Sequence, residues 1–168
     1  MIRFDLERFV ISGRIDPFSF ESTRTEIESV LGEADECAYS DFATYGPVCF
    51  DLGNGIAPLH RIQILIPHPS HMKSADPAWT NWTPPNFLEN WPDERFAWNV
   101  GRFKPGFNIN DAIRSLPTFE ECEMIMSTNG CRILHNSDSG VMLSFENTED
   151  ADVPTLTCIT GNQANHAV

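Results

Sequence analysis

The sequence predicts an α+β domain built from two tandem units. Each unit runs strand, short helix and three strands, and the two share one mostly antiparallel sheet with the helices on one face. Three observations predict this. A motif occurs twice, as ERFVISGRIDP at 7–17 and ERFAWNVGRFKP at 94–105. Two helix-start signals, at Thr23 and Asn108, stand 85 residues apart. Several short segments alternate apolar with polar residues, the period of a half-buried strand.

In the motif, Glu7, Arg8 and Phe9 match Glu94, Arg95 and Phe96, while Gly13, Arg14 and Pro17 match Gly101, Arg102 and Pro105. Each copy is read as the opening strand of its unit. Thr23 then begins TRTE, a capping box in which Glu26 returns a bond to the cap. Ile27, Val30 and Leu31 fall on one helical face, and Gly32 ends the helix. In the second unit Asn108 is the cap and Asp111 the first-turn acid. Ala112, Ile113 and Leu116 form the apolar stripe there, and Pro117 is the stop.

Strands follow. VCFDL (48–52), RIQILI (61–66) and VMLSF (141–145) each alternate, and the second unit closes on Leu156–Ile159. GNG (53–55) and SDSG (137–140) supply turns. A unit of about 60 residues is marginal alone. Joining the strands of two units into one sheet gives both a common core, which is the reason offered for the repetition. Residues 1–67 and 94–161 are thus the repeats of a single domain, 1–168. Residues 68–93 are a Pro- and Trp-rich insert carrying Trp79, Trp82 and Trp91, and 162–168 are a frayed tail. The prolines exclude a long helix or central strand from the insert, although a short helix is expected near Asn86–Trp91. Trp98, inside a strand pattern, is read as core.

The formal net charge is −13. Residues 1–60 carry 11 acids and 4 bases, residues 61–106 carry 4 and 5, and residues 107–168 carry 9 and 2. Such a surface repels nucleic acid and anionic membrane and speeds encounter with a basic partner. No apolar run is long enough to span a bilayer, and MIRFDLERFV has acids where a secretory signal has its apolar core, so a cytoplasmic protein is expected. The five cysteines (Cys37, Cys49, Cys122, Cys131 and Cys158) are odd in number and form no CxxC pair, so neither a disulfide framework nor a zinc knuckle is indicated.

No catalytic constellation emerges. His68 and His71 stand near Asp76, but His68 lies between Pro67 and Pro69, which removes the helix that a metal-binding spacing would need. The carboxylates at Glu33, Asp35 and Glu36, at Glu120, Glu121 and Glu123, and at Glu149, Asp150 and Asp152 read as solvated loop acids. No P-loop, GxSxG, HExxH or GxGxxG occurs. The reading is therefore of no catalytic residues, no metal and no cofactor. Two alternatives stand beside it. One is a small enzyme pairing His60 or His135 with Cys49 or Cys131. The other is a module holding a small apolar ligand among the insert tryptophans.

If one sheet face packs on the helices, the alternate residues point away. Those are Cys49, Asp51, Arg61, Gln63, Leu65, Met142, Ser144 and Glu146. This mixture suits a protein interface. The candidate partner-binding residues are Asp51, Arg61, Gln63, Met142 and Glu146, with Trp79 and Trp82 at the rim.

The tandem helix-plus-strands units, with a turn such as TRTEIESVLG ending at Leu-Gly, resemble the architecture of the beta-lactamase inhibitory proteins. That resemblance implies a sheet whose concave face clasps a protein target. This chain lacks a secretory signal and paired cysteines, so neither the secreted address nor the beta-lactamase target carries over. Size, acidity and address are similar to those of bacterial immunity proteins, which neutralise a cognate toxin. The resemblance implies an inhibitor of a basic toxin such as a nuclease, with no nucleic acid or membrane as partner.

Overall fold

The computed structural model describes residues 1–35, 41–52, 58–66, 95–104, 106–122, 131–147 and 153–162. Its elements are β1 (Ile2–Asp5), α1 (Leu6–Ser12), α2 (Arg24–Leu31), β2 (Phe42–Tyr45), β3 (Val48–Asp51), β4 (Arg61–Leu65), β5 (Phe96–Asn99), α3 (Ile109–Ser115), β6 (Glu120–Cys122), β7 (Arg132–Asn136), β8 (Val141–Glu146) and β9 (Thr155–Asn162). The fold is α+β. Seven strands form an antiparallel sheet in the order β2-β3-β4-β9-β8-β7-β6, while β1 and β5 pair in parallel as a separate ribbon.

The helix starts are where the sequence places them. Thr23 Oγ1 accepts the Glu26 amide, and Glu26 Oε2 accepts the Thr23 amide at 2.7 Å, closing the capping box. Asn108 Oδ1 accepts the Asp111 amide at 3.0 Å. The buried stripes are narrower than expected. Ile27 and Leu31, and Ile109, Ala112 and Leu116, face the core, but Val30 and Ile113 are about half exposed, at 50% and 47%. Helices of 8 and 7 residues touch the sheet along one row only, so the flanking apolar position stays in solvent.

The first copy of the ERF motif is a helix and not a strand. Asp5 Oδ1 caps α1 by accepting the Arg8 amide, and Leu6, Phe9 and Val10 bury one face. Gly13 ends it at φ +67, its amide donating to the Phe9 carbonyl. The second copy lacks an acid before its motif in the capping position and carries Trp98 and Val100 in alternation with Phe96. It forms β5, which runs beside β1 with Phe4 opposite Trp98. Trp98 is partly buried and stacks on Phe4 at 4.6 Å and Phe96 at 5.5 Å, at the edge of the core. Asn162, read as the first residue of the tail, belongs to β9 opposite Arg61, and the rest of the expected tail lies outside the described residues. The expected helix near 86–91 and the insert lie outside the described residues.

Cross-strand partners in an antiparallel sheet share a face. The core face is therefore a set of rows. Tyr45, Val48, Ile64, Ile159, Leu143 and Leu134 make one; Ala43, Phe50, Ile62, Gly161, Val141 and Asn136 make the next. The buried residues of all three helices join the same cluster as these rows. At Gly161 the first helix comes down onto the sheet: a Cβ there would lie 2.5 Å from Phe9 Cζ. The missing side chain is the socket into which the Phe9 ring fits.

Polar ties bind the first 35 residues to the segment after the insert. Arg102 Nε donates to Glu7 Oε1 at 3.0 Å, and Asn99 Nδ2 donates to Asp5 Oδ2 at 2.9 Å. Arg95 forks onto both oxygens of Asp35 at 2.7 Å and lies over the Tyr45 ring. The bonds from Arg102 hold the Glu7 carboxyl below its usual range, and those from Arg132 do the same for Glu121.

Two outcomes follow from this packing. Gly161→Ala should lower unfolding stability by about 1–3 kcal/mol through overpacking. Adding Phe9→Leu should recover part of that loss, because the ring atoms in the way are gone; urea titration of the two single variants and the double variant reads the coupling. Acid should also weaken the fold through Glu7 and Glu121. A carboxylate with a lowered folded-state pKa contributes stability above its unfolded value, near 4.5, and loses it as pH falls through the folded value. Glu7→Gln should flatten the acid limb of the stability-against-pH curve; an unchanged slope would refute the role given to Arg102.

Candidate functional site

The strand register brings five of the seven predicted binding residues to one face, opposite the helices. One row crosses the whole sheet: Thr44, Cys49, Gln63, Thr160, Met142, His135 and Glu120. A second holds Leu65, Cys158, Ser144, Ile133 and Cys122. Asp51 and Arg61 face each other at one end, and Glu146 lies at the other, opposite Thr155. Trp79 and Trp82 fall outside the described residues.

The face grades from polar to apolar. Arg61 Nη2 holds Asp51 Oδ2 at 2.9 Å, with the arginine side chain 43% exposed. Next to it Gln63 Nε2 donates to Cys158 Sγ at 3.3 Å, and Cys158 Sγ lies 3.5 Å from Thr160 Oγ1. Leu65 presents a bare apolar surface at 48% exposure. Between Ser144 and Phe145 the ladder slips, and Thr157 is the extra residue on β9; its hydroxyl donates to the Ser144 carbonyl at 3.3 Å. Such a bulge bends the strand and strengthens its twist, curving the face near Glu146.

Cysteines gather here to a degree the sequence did not signal. Cys49, Cys122 and Cys158 lie in the two rows, and Cys131 lies within electrostatic reach of the Glu146 carboxylate. Burial pushes the thiols of Cys49, Cys131 and Cys158 up. Acidic neighbours add to this, Asp51 for Cys49 and Glu146 for the other two. That is the reverse of activation, which needs an electropositive surrounding. Among the described residues no imidazole acts on any of the three. His135 shares a row with Cys49 but stands four strands away, about 19 Å at the usual strand spacing. A thiol–imidazole dyad between them is excluded by the register. Among the described residues no three His, Cys, Asp or Glu side chains gather closely enough to hold a metal ion. The pair His68 and His71 lies outside them.

The acid clusters are only partly described. Asp35 is held by Arg95 and by the Gly46 amide at 2.8 Å, and Glu121 is gripped by both ends of the Arg132 fork at 2.6 and 2.7 Å. These carboxylates work as fasteners. Among the described residues no helix is long and apolar enough to cross a membrane. No protein-family description, curated protein or solved structure matches the chain.

The thiol environments make a direct expectation. In a Cys37→Ser background, a neutral-pH thiol reagent should modify exposed Cys122 first and Cys158 last, by about tenfold or more in rate. Mass-spectrometric mapping of the modified peptides checks the order; fast modification of Cys49 or Cys158 in the folded protein would reopen the thiol-enzyme reading.

Proposed function

We propose that the chain is a protein-binding inhibitor of the immunity-protein kind, which neutralises a basic toxin by laying its open sheet face over the toxin's active site. The observation that carries the reading is the mixed face itself: a row from Thr44 to Glu120 spanning seven strands, half-buried or exposed except at Thr160, with the buried residues of the helices in the core on the other side. A net charge of −13 supports a basic partner, since it accelerates encounter and disfavours acidic competitors. Asp51, Glu146 and Glu120 supply acidic contacts, Arg61 a planar fork, and Leu65 and Met142 the apolar centre. The place of action is the cytoplasm, before the toxin reaches its substrate.

The same reading includes a duplicated ancestry. Apart from the extra edge strand β6, the sheet order mirrors about the β4–β9 junction, with the meander β2-β3-β4 answered by β7-β8-β9. A helix capped 85 residues apart precedes each meander, at Thr23 and Asn108. The opening strands correspond as β1 and β5, so α1 is an addition of the first unit and the ERF match is displaced from the structural one. Two equivalent halves joined edge to edge make a platform wider than either could alone.

Titration against the products of neighbouring genes tests the function. A partner should bind with Kd below about 1 μM, with affinity falling as salt is raised. Met142→Arg and Glu146→Lys should each weaken binding by about tenfold or more while leaving the melting temperature near that of the parent, since both side chains are only half-buried. Binding that survives both substitutions would remove the sheet face from the reading, and no binding by any such product would remove the inhibitor.

A further inference from the structure

The open face carries its net charge at one end only. Among the described residues its acids are Asp51, Glu120 and Glu146. Asp51 is held by Arg61 at 2.9 Å, so the β3–β4 end meets a partner as a neutral pair. The side chains of Glu120 and Glu146 have no hydrogen bond or ion pair, and among the described residues no arginine or lysine shares their rows. Elsewhere the carboxylates are largely spent: Glu7 on Arg102, Asp16 on Arg8, Glu28 on Arg24, Asp35 on Arg95 and Glu121 on Arg132. The other free acids, Glu21, Glu33 and Asp138, stand in turns and connections outside the rows of the face.

The register fixes the separation of the two free carboxylates. Glu120 aligns with Met142 across His135, two strands away, and Glu146 stands four residues along β8 from Met142. At ordinary strand spacing and rise they are roughly 17 Å apart. That is about twice the range over which exposed charges act on one another at physiological salt, so each needs a cation of its own. Between them lie Cys122, Met142 and Ser144, uncharged and either exposed or half-buried.

We propose, on the reading of this face as a protein-binding one, that the partner docks in a single direction. Two cationic side chains roughly 17 Å apart settle on Glu120 and Glu146, an apolar stretch between them covers Met142, and an uncharged remainder lies over Asp51 and Arg61. Charge complementarity sets the direction. Turned end for end, the partner's cations would meet the Arg61 guanidinium, and two carboxylates would be covered without a counter-charge, which is the costly arrangement.

α,ω-Diamines are the probe, since each is two ammonium groups on an apolar chain of chosen length. Extended, the twelve-carbon diamine reaches from Glu120 to Glu146, and the four-carbon one does not. Two-dimensional NMR of the intact protein at constant ionic strength should show saturable shifts at the amides of Glu120, Met142 and Glu146 with the longer diamine. Its midpoint should be lower than that of the shorter one by about fivefold or more, because the second contact becomes intramolecular. Glu120→Gln and Glu146→Gln should each bring the longer diamine to the midpoint of the shorter. Glu33→Gln, which removes the same charge outside the face, should leave it unchanged. Equal midpoints for the two diamines, shifts centred on Asp51 and Arg61, or a midpoint unaltered in both face variants would overturn the direction of docking. Diamines that fail while Met142→Arg still weakens partner binding remove the direction alone; a partner insensitive to Met142→Arg removes the face itself.

Discussion

The pairing of β4 with β9 is the contact on which the architecture depends. Arg61 to Leu65 meet Asn162 to Cys158 across nearly the whole length of β4. The partners are almost 100 residues apart in the chain, so closing this seam costs loop entropy that only dense packing offsets. That packing is present: Ile62, Ile64 and Ile159 are fully buried, and Gly161 lets Phe9 press down on the seam from above. Remove the seam and a three-stranded and a four-stranded meander remain, each with a bare edge and a half-covered face. The outer face exists only because the seam holds, since its longest row passes from Gln63 on β4 to Thr160 on β9.

A wide sheet creates edges, and the two edges of this one are treated differently. On β2, the Arg24 guanidinium donates to the Phe42 carbonyl at 3.1 Å and the Asp35 amide donates to the Thr44 carbonyl at 2.9 Å. The connection leaving α2 thus closes that edge with its own backbone. On β6 the strand is three residues long, wholly exposed, and carries Glu120 and Glu121. A short, charged strand discourages pairing with another chain. Both devices leave the edges little to offer for strand pairing, while the face presents side chains and not a bare backbone ladder.

Much of this was legible in the sequence, and the reasons are local. Strands β3, β4 and β8 announce themselves by alternation, because one face must be apolar and the other need not be. The caps at Thr23 and Asn108 announce helices because their side chains can only do that work at a helix start. Five candidate face residues were recoverable for the same reason: period two fixes which side a residue takes once its neighbour is in the core. The failures are equally physical. ERF at 7–9 and at 94–96 is one string in two conformations, decided by Asp5 as a cap before one copy and by the β1 partner strand beside the other. Val30 and Ile113 were placed inside because a stripe pattern does not reveal how few residues a two-turn helix can bury. The crowding of Cys49, Cys122, Cys131 and Cys158 on one side was invisible, since it comes from cross-strand register, which no single segment encodes.

Charge is distributed with a logic that joins fold to recognition. The arginines are spent mainly as internal fasteners: Arg95 to Asp35, Arg102 to Glu7, Arg132 to Glu121, Arg61 to Asp51. Each fixes a carboxylate beside its partner, and the acids left over give the exterior its negative field. Isolated surface pairs of this kind are worth little in stability, about 0–1 kcal/mol apiece. Their effect is positional: they hold strand ends, loop and helix in register so that the face is presented in one arrangement. A face held in one arrangement loses less freedom on any contact than a flexible one. On this face the shifts run toward inert thiols: burial raises Cys49, Cys131 and Cys158, and the neighbouring carboxylates add to it.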